Sequence, residues 1–519
     1  MLFNSPEFIY LFLPIVLTGF FWLARASHRI AATWLTAASL FFYGWWNPAY
    51  LGLLLASIFF NYGMGVVLAG EAVKPEAQRR TYLLVIAVSA NLVLLGYYKY
   101  ANFFLDSANA ALGTDWEFAE IILPLGISFF TFTQIAFLVD AWRGIAREFN
   151  FIHYSLFVTY FPHLIAGPVL HHKEMMPQFG RPETYRVNWE NLAVGLTIFT
   201  LGLCKKVWLA DGVAPYATPV FAAAQAGEPI SFLAAWGGTL AYTLQLYFDF
   251  SGYSDMAIGL SRMFGVNLPL NFNSPYQALN IIDFWRRWHM TLSRFLRDYL
   301  YFALGGNRKG KLRRHLNLMA TMLLGGLWHG AGWTFVIWGG LHGLYLVINH
   351  AWEGVKPALG LPSGRWWTRL LAWALTFLAV AVAWVFFRAE SFPAAWTMLS
   401  AMAGCNGITV PGAWLVDAHW RLGAILQATG VGIGNAGGHV PDAWGWAMIG
   451  TLLLLATRMP NTQRIMADFR PALDYKDMVG KHGATRFRIG WPWAGLTALL
   501  LAAALTRGES VSEFLYFQF

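Results

Sequence analysis

The run LLAWALTFLAVAVAWVFF (Leu370–Phe387) goes eighteen residues without a charged side chain. That is within the roughly 17 to 25 residues a helix needs to cross the hydrocarbon core of a bilayer. Comparable stretches lie near Glu7–Ala24, Ile30–Trp46, Tyr50–Ala69, Tyr82–Tyr98, Ile121–Trp142 and Leu192–Leu209, then near Phe232–Phe248, Leu316–Trp328, Phe335–Ala351, Trp444–Ala456 and Trp491–Ala504. Of the 519 residues 57% are hydrophobic and only 12% charged, against about 25% charged in soluble globular domains. Too little polar surface is left to coat a water-soluble exterior. The reading is an all-α polytopic membrane protein of about 11–13 transmembrane helices.

The first run, Glu7–Ala24, contains Pro14 and lacks both a basic leader and a small-residue cleavage site, so a retained span is expected rather than a cleaved signal. Cys204 and Cys405 stand far apart, which suggests neither a disulfide framework nor a thiolate metal site. The 26 Trp, 21 Tyr and 41 Phe suit interfacial belts, and the 50 Gly suit close helix packing in lipid. Basic residues fall in alternate short loops: Arg25 and Arg29, then Lys74, Arg79 and Arg80, then Arg143 and Arg147. These loops are expected in the cytoplasm, and the loops carrying Asp106, Asp115, Glu117 and Glu120 in the periplasm.

Phe151–Val169 is apolar but interrupted by His153, Pro162, His163, Gly167 and Pro168, which predicts a broken or re-entrant segment. Irregular backbone survives at membrane depth only inside protein or facing a wet cavity. Between Arg286 and Arg314 lie nine Lys/Arg and one acid, Asp298, so most of the chain's net charge of +9 is local. Trp285, Trp288, Leu292, Phe295, Leu296 and Tyr299 recur there at helical spacing, as an interfacial amphipathic helix requires. Such a helix can simply lie on anionic lipid. It can also present arginine forks to a phosphate-bearing ligand.

Several apparent signatures fail on context. Gly432-Ile-Gly434-Asn-Ala-Gly437 spells a dinucleotide fingerprint but sits in a Gly-rich loop without a βαβ unit. Gly305–Lys311 resembles a phosphate-binding loop, yet Leu312 stands where a magnesium-binding hydroxyl belongs. Neither a Gly-x-Ser-x-Gly elbow nor a His-Glu-x-x-His pair occurs, so serine-hydrolase and metalloprotease readings lack support. What remains is histidine inside apolar sequence: His153, His163, His289, His329 and His342. Ionisable groups at membrane depth mark functional cavities by default, although a neutral histidine bonded to a neighbouring helix is the plainer alternative for each. His329 ends an apolar run and has Gly325, Gly326, Gly330 and Gly332 around it, which lets backbone or substrate approach closely.

Five ordered stretches, Pro124–Phe130, Phe161–Pro168, Tyr247–Gly259, Phe284–His289 and Gly325–Gly330, closely resemble the membrane-bound O-acyltransferase superfamily, in particular its bacterial polysaccharide branch. The resemblance implies a ring of helices, with re-entrant and interfacial segments, around a central tunnel formed by cytoplasmic and periplasmic funnels. It implies that His329 is the catalytic histidine and His289 the second active-site position, where many eukaryotic relatives carry asparagine. The aromatic tail Ser512–Phe519 resembles a C-terminal motif of that branch, which makes Tyr516 a candidate acyl relay or gate. The whole chain, 1–519, is read as a single acyltransferase domain: 1–150 N-terminal spans, 151–350 a catalytic core with the interfacial basic helix 280–314, and 351–519 C-terminal spans and tail.

Acetyl transfer from a thioester to a hydroxyl needs a base, and imidazole suits that role near neutral pH. His329 is the candidate base, and His289 the group that orients the donor or meets the developing oxyanion. Arg286, Arg287 and Arg294, with Trp285 and Trp328, are the candidate donor-binding positions. The expected donor is acetyl-CoA, without a metal. Expected partners are membrane lipid and a periplasmic SGNH-type acetyltransferase that esterifies a glycan such as alginate; no nucleic acid is expected. The expected location is the bacterial inner membrane. Two other classes fit parts of the pattern: a transporter or channel for an acetylated carrier, which also uses broken helices and buried histidines, and a structural subunit of an export complex.

Overall fold

The computed structural model describes the chain except residues 71–76, 118–120, 147, 361–363, 412–431, 435–438, 474–485, 508–511, 513 and 516–519. Helix dominates, as lipid demands, because a helix closes its own backbone hydrogen bonds. In chain order the helices are α1 Leu13–Ala24, α2 His28–Gly44, α3 Ala49–Gly70, α4 Ala77–Leu95, α5 Ala101–Leu112, α6 Ile127–Trp142, α7 Phe151–Thr159, α8 His172–Phe179, α9 Trp189–Cys204 and α10 Asp211–Gln225. They continue as α11 Phe232–Met263, α12 Ile281–Trp285, α13 Met290–Phe295, α14 Gly310–His329, α15 Trp333–Val355, α16 Trp366–Arg388, α17 Phe392–Met402, α18 Ala443–Arg458, α19 Thr462–Ile465 and α20 Trp491–Thr506. Two three-residue strands, β1 Thr409–Pro411 and β2 Gly432–Gly434, pair in parallel. Gly432–Gly434 is therefore strand, not the loop expected from its glycines; in a dinucleotide fingerprint the glycines would follow the strand.

Among the described residues, five helical stretches are long and apolar enough to cross a membrane: Glu7–Ala24, Ala49–Gly70, Gln78–Leu112, Trp189–Gln225 and Trp366–Arg388. Each covers a stretch that hydropathy marks as a span. The other marked stretches are helical too but shorter or more polar: α11 carries Asp249, Asp255 and Arg262, and α14 opens on Lys311, Arg313 and Arg314.

The chain divides into two compact units, one of Met1–Cys204, Ser251–Asn271 and Thr462–Gln518, the other of Lys205–Phe250, Phe272–Asn461 and Phe519. The units interleave along the sequence, and their boundaries fall elsewhere than residues 150 and 350. The first boundary falls at Cys204, inside the uninterrupted helical stretch Trp189–Gln225, where composition changes too little to mark it.

In the first unit α1 and α2 form a hairpin, and the Trp34 indole N–H donates to the Val16 carbonyl at 3.1 Å. The broken segment is present. Asn150 caps α7 by accepting from the Ile152 and His153 amides, and the helix stops at Thr159, ahead of Pro162. Residues 160–172 are all buried in protein. His163 Nε2 lies 3.0 Å from the Phe157 carbonyl oxygen, and His153 Nδ1 contacts the Glu148 carboxylate. Both are engaged locally.

In the second unit α14 and α15 pack as a close hairpin. A Cβ on Gly339 would overlap the Met322 carbonyl oxygen, and one on Gly326 the Phe335 carbonyl oxygen, so the two backbones touch where only glycine fits. Since backbone atoms cannot rotate aside as side chains do, Gly339→Ala is expected to destabilise by about 1–3 kcal/mol, read as a lower Tm in detergent. Gly340→Ala next to it, whose Cβ meets only the Leu323 side chain at 3.4 Å, should leave Tm unchanged.

Candidate active site

The basic segment is not one amphipathic helix. α12 ends at Trp285, His289 takes a left-handed backbone at φ 42° and ψ 52°, α13 follows, and Leu296–Tyr301 closes the segment as a π-helical turn. A left-handed residue with a Cβ costs roughly 1–2 kcal/mol and interrupts any helix. Such strain persists where surrounding structure over-determines it, commonly at functional sites. The surroundings here are aromatic: Trp288 stacks on Phe284 at 5.7 Å, packs against Trp384 at 4.9 Å and meets Phe272 edge-on at 5.1 Å. Trp288, Leu292, Phe295 and Leu296 are buried in protein, so the apolar side of the segment is not laid on lipid.

α14 delivers His329 as its last residue. The His289 and His329 ring centroids are 6.2 Å apart at 61°, an edge-to-face pair. Trp328 stands by both, 6.2 Å from His289 and 5.0 Å from His329. Trp338 and Phe387 close on His329 at 5.1 and 5.3 Å, and Phe250 meets His289 edge-on at 4.9 Å. His289 is fully buried and His329 is 5% exposed. Burial lowers the His289 pKa to about 3, so near neutrality that imidazole is uncharged and offers one N–H donor and one acceptor.

His342, left open by sequence, joins the same cluster. The Trp285 indole N–H donates to His342 Nδ1 at 3.3 Å, and Trp338 packs edge-on at 4.9 Å. Trp285 thus contacts His342 directly. Arg287 is engaged within protein: its Nε donates to Asp283 Oδ1 at 2.9 Å and its Nη1 to the Asn273 carbonyl at 3.3 Å. That locks the turn leading into His289. Arg286 is exposed and Arg294 half-buried. Tyr516 lies outside the described residues. Among those residues, no group of three His, Cys, Asp or Glu side chains forms a metal-ligand set.

Two buried clusters of ionisable groups escape sequence reading. In the second unit Lys206 Nζ lies 2.9 Å from Asp249 and 2.8 Å from Asp211, with Lys206 and Asp249 almost wholly buried. In the first unit His172 Nδ1 lies 3.3 Å from the buried Asp140 carboxylate. Asp249 lies within the stretch Tyr247–Gly259, but nothing local pairs it with Lys206, 43 residues earlier.

Residues 40–387 match the family model described as MBOAT, the membrane-bound O-acyltransferase family. The chain is 45% identical over 437 residues to the peptidoglycan O-acetyltransferase of Helicobacter pylori, covering 79% of this chain and 81% of that protein. It is 44% identical over 409 residues to the protein named "Probable alginate O-acetylase AlgI" of Azotobacter vinelandii, covering 78% of each. A protein of the same name from Pseudomonas fluorescens is 41% identical over 546 aligned residues, covering the whole of both. The match spans both imidazoles and both turns that hold them, and the chain belongs to the membrane-bound O-acyltransferase family, a multi-pass membrane O-acyltransferase.

Proposed function

We propose that this chain takes acetyl groups from acetyl-CoA at the cytoplasmic face of the bacterial inner membrane and passes them to the periplasmic side, for O-acetylation of a glycan such as alginate or peptidoglycan. The relatives named for alginate and peptidoglycan O-acetylation support the acyl group and the acceptor class. The observation that carries the chemistry is the His289–His329 pair, two imidazoles enclosed side by side within an aromatic wall.

In the proposed step, one His329 ring nitrogen takes the acceptor hydroxyl proton as the oxygen attacks the thioester carbonyl carbon. The C–S bond breaks, and the thiolate leaves with the proton the imidazolium returns. His289, neutral, donates its N–H toward the carbonyl oxygen as charge develops there. Charge supports a cytoplasmic donor side: His315 near the start of α14 stacks on His350 near the end of α15 at 6.4 Å, so Lys311, Arg313, Arg314 and Lys356 gather at one end of the hairpin. Basic ends face the cytoplasm. A periplasmic SGNH-type acetyltransferase is the proposed acceptor protein, with Tyr516 as a proposed relay. Tyr516→Phe keeps the ring and removes only the hydroxyl: a covalent relay loses nearly all transfer to the partner, whereas a docking role retains it.

The test is purified protein with acetyl-CoA labelled in the acetyl group. Release of free CoA at a rate that needs His329 supports the reading; a protein that leaves the thioester intact with acceptor present is a carrier, and the reading fails.

A further inference from the structure

A second site lies in the same unit. A cavity of about 770 Å³ opens where the start of α16 meets the end of α18, lined by Arg369, Arg458, Trp366, Trp373, Gln277 and Thr457 among others. The volume suits a small-molecule ligand. Among the described residues no acidic side chain lines it, and both guanidinium groups are exposed without an ion pair to protein. Arg369 lies in the first turn of α16, which holds no acid, and Arg365 is that helix's N-cap. The helix dipole is positive there and adds to the attraction for an anion. The walls are built for a planar or apolar group: the Trp373 indole N–H donates to the Tyr276 carbonyl at 2.8 Å, which fixes the ring, while Trp366 is 77% exposed.

We propose that this cavity binds a phosphate ester, with Arg369 and Arg458 on the phosphate oxygens and the two tryptophans against the group it carries. Arginine forks match phosphate oxygens, the two here line one cavity from different helices, and a tryptophan face accepts a base or a lipid chain. Two sources share this chemistry: the nucleotide end of the acyl donor and the headgroup of an anionic phospholipid. From the cavity an aromatic wall runs through Trp373–Phe377 at 5.7 Å, Phe377–Tyr276 at 5.5 Å and Tyr276–Trp288 at 6.2 Å, ending one residue from His289. A donor seated by its phosphates would find that wall along its thioester-bearing arm. Only this nucleotide source rests on the function proposed above.

The experiment measures binding of coenzyme A, and separately of short-chain phosphatidylglycerol, to full-length protein in neutral detergent, with phosphatidylcholine as control. Arg369→Gln, Arg458→Gln and the double variant are compared after Tm confirms an intact fold. Each single change is expected to weaken binding about tenfold and the pair about a hundredfold, as loss of charge-assisted bonds implies. Loss confined to coenzyme A assigns the nucleotide source, and loss confined to phosphatidylglycerol the lipid source. If neither compound binds the unmodified protein, or the double variant binds both as the parent does, the proposal is overturned. Binding is read without turnover, so a failure of the histidine chemistry and a failure of this site are read separately.

Discussion

Alanine in place of His329 is expected to slow CoA release by about a hundred- to ten-thousand-fold, the span usual for losing a positioned general base. Because the base acts as the proton moves, the loss should fall on kcat with KM nearly unchanged. His329→Gln is expected to behave alike, since glutamine can bond but cannot accept the proton at neutral pH. His329 packs against Trp328, Trp338 and Phe387, so a Tm beside each rate separates lost chemistry from lost packing. A folded His329→Ala protein within threefold of the parent rate would remove His329 from the role of base.

Lys206→Met is expected to destabilise the protein by about 3–5 kcal/mol, the usual result of stripping a buried ion pair of one partner. Asp249 sits 2.9 Å from Lys206 with both side chains 2% exposed, while the other partner, Asp211, is 26% exposed and can reach water. The loss therefore falls on Asp249, left charged and buried. Methionine keeps the length of the lysine chain, which confines the change to the charge. Adding Asp249→Leu should recover much of the stability, because an apolar pair of similar volume replaces a buried ion pair at little loss. Thermal unfolding in detergent reads both variants. A Lys206→Met protein as stable as the parent would mean that the cation is not what holds Asp249 in place.

Much of the fold is legible in the sequence because its signals are local. An apolar run of spanning length announces Trp366–Arg388 by itself, and Pro162, three residues past Thr159, keeps α7 from continuing. His289 and His329 stand out because histidine is expensive in apolar sequence. What sequence hides depends on contact. The periodicity from Trp285 to Tyr299 is genuine, yet the left-handed turn at His289 breaks the helix, because Trp288 and Phe284 are drawn into an aromatic core built partly by Phe272 and Trp384. Arg287 reads as a free cation until Asp283 is seen bonded to it. Lys206 and Asp249 meet, and Arg369 and Arg458 come to line one cavity, only through tertiary structure. The interleaved units follow from the same limitation, since one helix, α11, supplies residues to both.

The aromatic enclosure sets a further requirement. With His289 fully buried and His329 5% exposed, an acyl donor is expected to displace part of the ring enclosure of Trp328, Trp338, Phe387 and Phe250 on entering. Closed aromatic walls also keep water from the thioester, as acyl transfer rather than hydrolysis requires. The most direct measurement is a cryo-EM structure with a non-cleavable acetyl-CoA analogue bound. The thioester-mimicking carbonyl should lie between the two imidazoles, within about 3 Å of a His289 nitrogen, with at least one of those rings swung aside. An analogue whose acyl end rests elsewhere while both imidazoles stay sealed would contradict the assignment of this pair as the transfer site.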